Sequence, residues 1–165
     1  MLRGNILDLE KRNDIYSFIL THPGLHLNEL SRKLKIPMST LYYHLNYLKK
    51  REMIISELNG RYKRYYAANK VGENDKKILN FLRQEVPFEI VMFLFLKPNS
   101  SRIKISKNLK KHTTTISFHI EKLMDLGIIE GISVNGNGME YKIKNQETLS
   151  DIIIKYRKSL FRLHK

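Results

Sequence analysis

Shifted against itself by 75 residues, the sequence aligns from Asp14 to Tyr66 without a gap. Ile15 meets Ile90, Phe18 meets Phe93, Pro23 meets Pro98, Ser31 meets Ser106 and Leu34 meets Leu109. Further on, Thr40 meets Thr115, His44 meets His119, Leu48 meets Leu123, Ile54 meets Ile129 and Tyr66 meets Tyr141. Solenoid repeats run roughly 20 to 50 residues, so a period this long means duplication of a whole domain. A chain of 165 residues fits either one domain of typical size or two small ones. The repeat chooses two.

Within the first copy, Ile6 to Leu20 reads as a helix with Ile15, Phe18 and Ile19 inward, stopped near His22-Pro23-Gly24. A shorter amphipathic segment follows, with Leu27, Leu30 and Leu34 inward, and ends before Pro37, which disfavours helix in the residue preceding it. From Ser39 to Ile55 the pattern changes again. Leu41, Leu45 and Leu48 recur at helical spacing with His44 beside them, which makes that face the core side. The opposite side carries Tyr42, Tyr43, Asn46, Tyr47, Lys49 and Lys50, residues able to stack on bases, bond their edges or meet phosphates. Adjacent positions on a helix point about 100° apart, so at least one of Tyr42 and Tyr43 should leave the core. Behind this helix, Ile54 to Leu58 is a short apolar run, Asn59-Gly60 is the favoured type I′ dipeptide, and Arg61 to Tyr66 returns with aromatic strand formers. These spacings predict a two-stranded hairpin. Arg61, Lys63 and Arg64, placed beside a reading helix, are candidate phosphate or minor-groove contacts.

The stretch from His22 to Tyr66 resembles the winged helix-turn-helix of ArsR- and MarR-like regulators, and is most similar to a group of archaeal predicted transcriptional regulators that carry two such domains. Members typically show a Pro-Gly before the first helix of the motif, a Thr-x-x-Tyr-His-Leu-x-x-Leu core and a basic, Tyr-rich wing. All three are present, at Pro23-Gly24, at Thr40 to Leu48 and at Arg61 to Tyr66. The resemblance implies a DNA-binding transcriptional regulator.

The second copy keeps the scaffold and changes the surface. Ile116, Ile120 and Leu123 remain as core, while Thr114, Ser117, Phe118, Glu121 and Lys122 are left outside. Glu121 opposes a phosphate backbone, and the tip from Asn135 to Glu140 holds no base. The preceding helix instead carries Lys104, Lys107, Lys110 and Lys111, a cluster suited to holding a backbone while few bases are read. Between the copies, residues 67–75 read as a linker or helix start, Lys76 to Arg83 as a connecting helix with Ile78, Phe81 and Leu82 on its apolar side, and Pro87 as the opening of the next helix. From Thr148, a plausible N-cap, Leu149, Ile152, Ile153, Tyr156 and Leu160 recur at helical spacing over roughly four turns. That stripe fits either a helix completing the second core or the contact of a homodimer.

A net charge of +14, divided as +7 in residues 1–70 and +7 in residues 71–165, makes a polyanion the first expected partner. With no cysteine, disulfides, thiolate metal sites and thiol redox sensing are excluded. The N-terminus lacks a signal-peptide core, and the longest apolar run, Ile90 to Leu96, is too short for a bilayer, which predicts a cytoplasmic protein without a membrane partner. His44 and His119 read as buried histidines bonded to neighbouring backbone. His22 and His26 are separated by a helix-breaking Pro-Gly, so no metal site follows. Paired carboxylates, a Gly-rich phosphate loop and a nucleophile motif are all missing from the sequence, and neither catalysis nor a cofactor is expected.

The expected fold is mainly α with small β-hairpin wings: a winged helix-turn-helix over 1–70, a helical linker over 71–85, a second winged helix-turn-helix over 86–145 and a C-terminal helix over 146–165. The expected function is sequence-specific binding of double-stranded DNA, as a transcriptional regulator. Candidate contacts are Ser39, Thr40, Tyr42, Tyr43, Asn46, Lys49 and Lys50 on the first reading helix; Arg61, Lys63 and Arg64 on its wing; and Lys104, Lys107, Thr114, Ser117 and Lys122 in the second copy. Two competing classes share this architecture. One is a protein-interaction module of chromosome-organising or polymerase-associated assemblies, and the other a plasmid-type replication initiator.

Overall fold

The computed structural model describes residues 2–134, 136 and 138–161. The chain divides into two compact units, the first running to Lys76 and including the stretch from Tyr156, the second spanning Lys77–Lys155. The first unit is built from α1 (Leu2–Thr21), β1 (Leu25–His26), α2 (Leu27–Leu34), α3 (Met38–Lys50), β2 (Ile54–Asn59) and β3 (Tyr62–Ala67). Of the residues the periodicity placed inward, Ile15 and Ile19 of α1, Leu30 of α2, and Leu41, Leu45 and Leu48 of α3 form the core, closed by Leu25, Ile54 and Tyr65, while Phe18, Leu27 and Leu34 are partly buried against it. Burial of each such side chain contributes about 1.5 to 3 kcal/mol.

The turn between α2 and α3 explains why one serine recurs. Lys35 ends α2 in the left-handed region (φ 55°), with its N–H bonded to the Ser31 carbonyl. Ser31 Oγ donates to the Ile36 carbonyl at 2.7 Å, satisfying a group that the departing chain would leave open.

The wing differs from the hairpin expected in two respects. First, the sheet has three strands in the order β1-β3-β2, because Leu25 and His26 pair with Tyr65 and Arg64. A two-residue strand has no periodicity by which a sequence could declare it. Second, Asn59 pairs with Tyr62 as the last rung, so the loop is Gly60-Arg61 and not Asn59-Gly60. Gly60 has φ +57° while Asn59 and Arg61 keep negative φ, which suits the Gly-first type II′ turn better than type I′.

Beyond the wing come α4 (Glu73–Leu82), α5 (Glu85–Leu96), β4 (Ser100–Ser101), α6 (Arg102–Leu109), α7 (Thr113–Asp125), β5 (Ile129–Ser133) and β6 (Met139–Ile143). The connecting helix begins at Glu73, three residues before the expected Lys76. Pro87 is the third residue of α5, where a missing N–H costs no helical bond. In the second unit α5, β4, α6, α7, β5 and β6 repeat the order of α1 to β3, with the sheet again β4-β6-β5. Here α6 and α7 begin and end 75 residues after α2 and α3. Lys110 repeats the left-handed cap (φ 52°), and Ser106 Oγ donates to the Lys111 carbonyl at 2.7 Å.

The gapless alignment fails at the second wing. Tyr141 pairs with Ser100 and Gly131, as Tyr65 pairs with Leu25 and Ser56. Val134 N–H bonds the Gly138 carbonyl at 3.1 Å, leaving a three-residue tip where the first wing has two. Tyr141 is therefore the counterpart of Tyr65, not Tyr66, and every β6 residue stands 76 places after its equivalent. Of the expected tip, Asn135 and Asn137 lie outside the described residues.

The C-terminal stripe forms two helices instead of one, α8 (Gln146–Lys155) and α9 (Arg157–Leu160), separated at Tyr156 (φ −108°, ψ 17°). The cap is Asn145, whose Oδ1 accepts from Thr148 N–H at 2.9 Å, so Thr148 lies inside the first turn. Leu149, Ile152, Ile153, Tyr156 and Leu160 are all buried within the chain. Tyr156 Oη donates to Asp75 Oδ2 and Ser159 Oγ to the Pro23 carbonyl, both at 3.0 Å within the first unit. The end of the predicted segment, residues 162–165, lies outside the described residues.

Candidate nucleic-acid interface

With Leu41, His44, Leu45 and Leu48 buried, α3 presents its other side to solvent. Tyr42 and Tyr43 both leave the core, 51% and 57% exposed, with Ser39, Lys49 and Lys50 also exposed and Thr40 and Asn46 half-buried. Tyr47 departs from this face. Its ring is turned toward α1, where the Arg12 guanidinium lies 3.8 Å from the centroid, with Arg51 at 5.5 Å. This packed cation–π contact ties the Tyr47 ring to α1.

Arg61 and Lys63 are exposed at the end of the β2–β3 hairpin. Arg61 sits 5.3 Å over the Tyr62 ring, which in turn stacks on His26 at 4.6 Å. Arg64 is placed differently from its neighbour Lys63, because successive strand residues point to opposite faces. β3 is the central strand, so Arg64 is flanked by His26 on one side and Glu57 on the other. Its guanidinium donates to the Gly24 carbonyl at 2.9 Å and lies 3.9 Å from Glu29, with the side chain only 12% exposed. Of the three basic wing residues, two face solvent and one ties the wing to the turn before α2.

A further wing support escaped sequence reasoning. Lys76 of α4 is buried, and its Nζ donates to Glu57 of β2 and, at 2.6 Å, to Glu73, with the Tyr66 ring 5.4 Å away. Burial works against the ammonium charge, but the hydrogen bonds and charges of Glu57 and Glu73 outweigh it, and the Lys76 pKa is raised. Only the three-residue spacing of Glu73 and Lys76 hinted at it; Glu57 is too distant in sequence to have been paired.

The corresponding surface of the second unit has other chemistry. Lys104 and Lys107 of α6 are exposed, whereas Lys111 leaves the cluster to lie 3.7 Å from both Glu85 and Glu89. On α7, Thr114 is exposed and bonded to His112 Nδ1 at 2.7 Å, and Lys122 pairs with Asp125 at 3.5 Å. Ser117 Oγ donates to the Thr113 carbonyl at 2.8 Å and accepts from Arg102 Nη1 at 3.1 Å. On β6 the counterpart of Arg64 is Glu140, since both oppose the second residue of the short first strand. One basic position has become acidic.

His44 is buried and His119 half-buried, and in place of the expected backbone bond each leaves a buried Nδ1 without a hydrogen-bond partner among the described residues. Tyr43 and Phe118 pack edge-on against them, each at 5.2 Å. Burial lowers the pKa of both rings. For His44 the charges of Arg12 and Lys11 add to this against an opposing effect of Asp8. Among the described residues no cluster of three or more His, Asp or Glu could hold a metal ion, and no helix is long and apolar enough to cross a membrane.

Residues 9–79 match the model of the HTH_HVO_0163_N family, described as an N-terminal HTH domain. An HTH-type transcriptional regulator of Methanocaldococcus jannaschii, itself named as uncharacterized, is 36% identical over 162 residues, covering 94% of this chain. The chain spans 39% of that protein's length. Among solved structures, a conserved hypothetical protein from Chlorobium tepidum is 13% identical with a TM-score of 0.36, over 88% of this chain and 99% of that one. The transcriptional regulator SlyA is 16% identical with a TM-score of 0.33, over 74% and 90%. Residues 9–79 thus match the HTH_HVO_0163_N family model, and they lie in a winged helix-turn-helix fold.

Proposed function

We propose that the chain binds double-stranded DNA in a sequence-specific manner as a transcriptional regulator. The observation that carries this is the joint exposure of Tyr42 and Tyr43 on α3, with the half-buried Asn46 on the same helix, and of Arg61 and Lys63 on the wing, in a chain of net charge +14. A helix of this width fits the major groove, where Asn can bond adenine N6 and N7 together, while wing cations hold phosphates. Ser39, Lys49 and Lys50 extend the contact along the same helix. Arg64 is assigned a supporting role, orienting the wing from Gly24.

The second unit, taken as a second winged helix, contributes backbone contacts through Lys104 and Lys107 and turns Thr114 and Ser117 toward the groove; Lys122 shares its charge with Asp125. The function needs neither catalysis nor a cofactor. The domain ranges 1–70, 71–85, 86–145 and 146–165 remain the proposed division, with the last segment broken at Tyr156. A protein-interaction module would present acidic or apolar helix faces, and the basic α3 and wing favour DNA instead. Selection of bound sites from a random duplex library tests the proposal. A single enriched motif is the expected result, and recovery of unenriched sequence would overturn it.

A further inference from the structure

Arg102 and Leu27 occupy the same place, each the first residue of its helix, yet they go opposite ways. Leu27 packs, half-buried, against the first core. An arginine cannot follow it there without a buried partner, and Arg102 is exposed. Its Nη1 instead reaches across to Ser117 Oγ at 3.1 Å. Ser117, half-buried, lies about 100° round the helix from the buried Ile116, at the edge of the side that carries the exposed Thr114, Phe118 and Glu121. The guanidinium is therefore parked on the face of α7 that corresponds to the reading face of α3.

Ser117 itself has little left to offer a base. Its one hydroxyl hydrogen is committed to the Thr113 carbonyl, and one of its two lone pairs receives Arg102, which leaves a single acceptor. What the pair presents outward is the guanidinium, a rigid fork of five donors of which one is engaged with Ser117. No ion pair holds Arg102 among the described residues, in contrast to Lys111 and Lys122 nearby. Ile103 and Phe118, 60% and 55% exposed, flank it with apolar surface that would displace water from a groove contact.

We propose that Arg102 is a specificity-determining residue of the second unit, reading guanine O6 and N7 through its fork while Ser117 fixes its orientation. Two parallel N–H donors match the two acceptors guanine shows in the major groove, whereas adenine places its N6 amino group where one acceptor should be. This rests on the DNA-binding function proposed above and names a reader that the composition of α7 alone conceals.

The test uses the full chain, a duplex site selected with it, and every single base-pair substitution of that site, bound by the wild type, Arg102→Ala, Arg102→Lys and Ser117→Ala. At one G·C pair the wild type is expected to reject substitution by about tenfold or more. Arg102→Ala should bind all four pairs there alike, and Arg102→Lys should keep much of the affinity while losing most of the discrimination, because an ammonium has no fork. Ser117→Ala should weaken discrimination at that same pair and nowhere else. Uniform weakening of every duplex by Arg102→Ala, with a salt slope lower by about 1, would make the residue a phosphate clamp and overturn the inference while leaving the DNA-binding function intact. Unchanged base preference in all three variants would also overturn it. Absence of any selected site with the wild type would overturn the function and the inference together.

Discussion

Lys63 and Arg64 are adjacent basic residues that the structure sends to different fates, and replacing each by Ala should separate two kinds of effect. Arg64 donates a charged hydrogen bond to the Gly24 carbonyl at 2.9 Å, and bonds of that kind contribute about 1.5 to 3 kcal/mol. The Glu29 carboxylate at 3.9 Å adds at most about 1 kcal/mol, as loosely held pairs do. Arg64→Ala should therefore destabilise the first unit by about 2 kcal/mol, equivalent to a midpoint roughly 8 to 16 °C lower in a domain of this size. Lys63 is exposed and no ion pair holds it among the described residues, so Lys63→Ala should leave the midpoint unchanged. Thermal unfolding of the full chain, followed by calorimetry, measures both. The same proteins titrated onto duplex DNA should show the reverse, with Lys63→Ala lowering the salt slope by about 1 and Arg64→Ala leaving it alone. An Arg64→Ala variant of unaltered stability and reduced slope would refute the supporting role.

Asn46→Ala should relax preference at one base pair and cost about 1 to 3 kcal/mol on the selected site, read from affinities for single-pair substitutions. Because burial holds the folded pKa values of His44 and His119 below 6.5, the unfolded chain binds more protons as pH falls through 6.5, and stability is lost from there downward. Urea midpoints measured from pH 7.5 to 5 should fall in the wild type and flatten in a His44→Leu, His119→Leu double variant; parallel profiles would dismiss both rings as the cause. Ser31→Ala and Ser106→Ala each remove a 2.7 Å bond to the turn carbonyl, and each should cost about 1 kcal/mol in chemical denaturation, with near-equal losses marking the turns as equivalent.

The helices and both cores were legible because their information is local: apolar spacing at Leu41, Leu45 and Leu48, and again at Ile116, Ile120 and Leu123, needs no knowledge of what lies opposite. The repeat carried the rest of the scaffold, down to the paired Ser31 and Ser106. What escaped depends on partners remote in sequence. Tyr47 reads as part of an outward helix face, and only the fold brings Arg12 of α1 over its ring; Arg64 reads as one of three wing cations, and only the pairing of β1 with β3 brings it to the Gly24 carbonyl. Lys76 and Glu57 are joined only by the fold. The extra residue in the second wing was invisible because Tyr66 and Tyr141 coincide at the repeat distance, although the strand register equates Tyr141 with Tyr65. Arg102 was passed over because its place in the repeat belongs to a core leucine.

On the proposed function, basic side chains of α3 and the first wing grip a DNA backbone. Lys49, Lys50, Arg61 and Lys63 are exposed and available for phosphates. Four such contacts imply that log affinity falls against log salt concentration with a slope of about −3.6 or steeper, at about −0.9 for each phosphate neutralised. Fluorescence anisotropy of a labelled duplex, titrated with the full chain from low to near-physiological salt, gives that slope directly. A value of about −3.6 or steeper, made shallower by about 1 with Lys63→Ala, is the result predicted. Affinity indifferent to salt, or a slope that Lys63→Ala leaves unchanged, would contradict it.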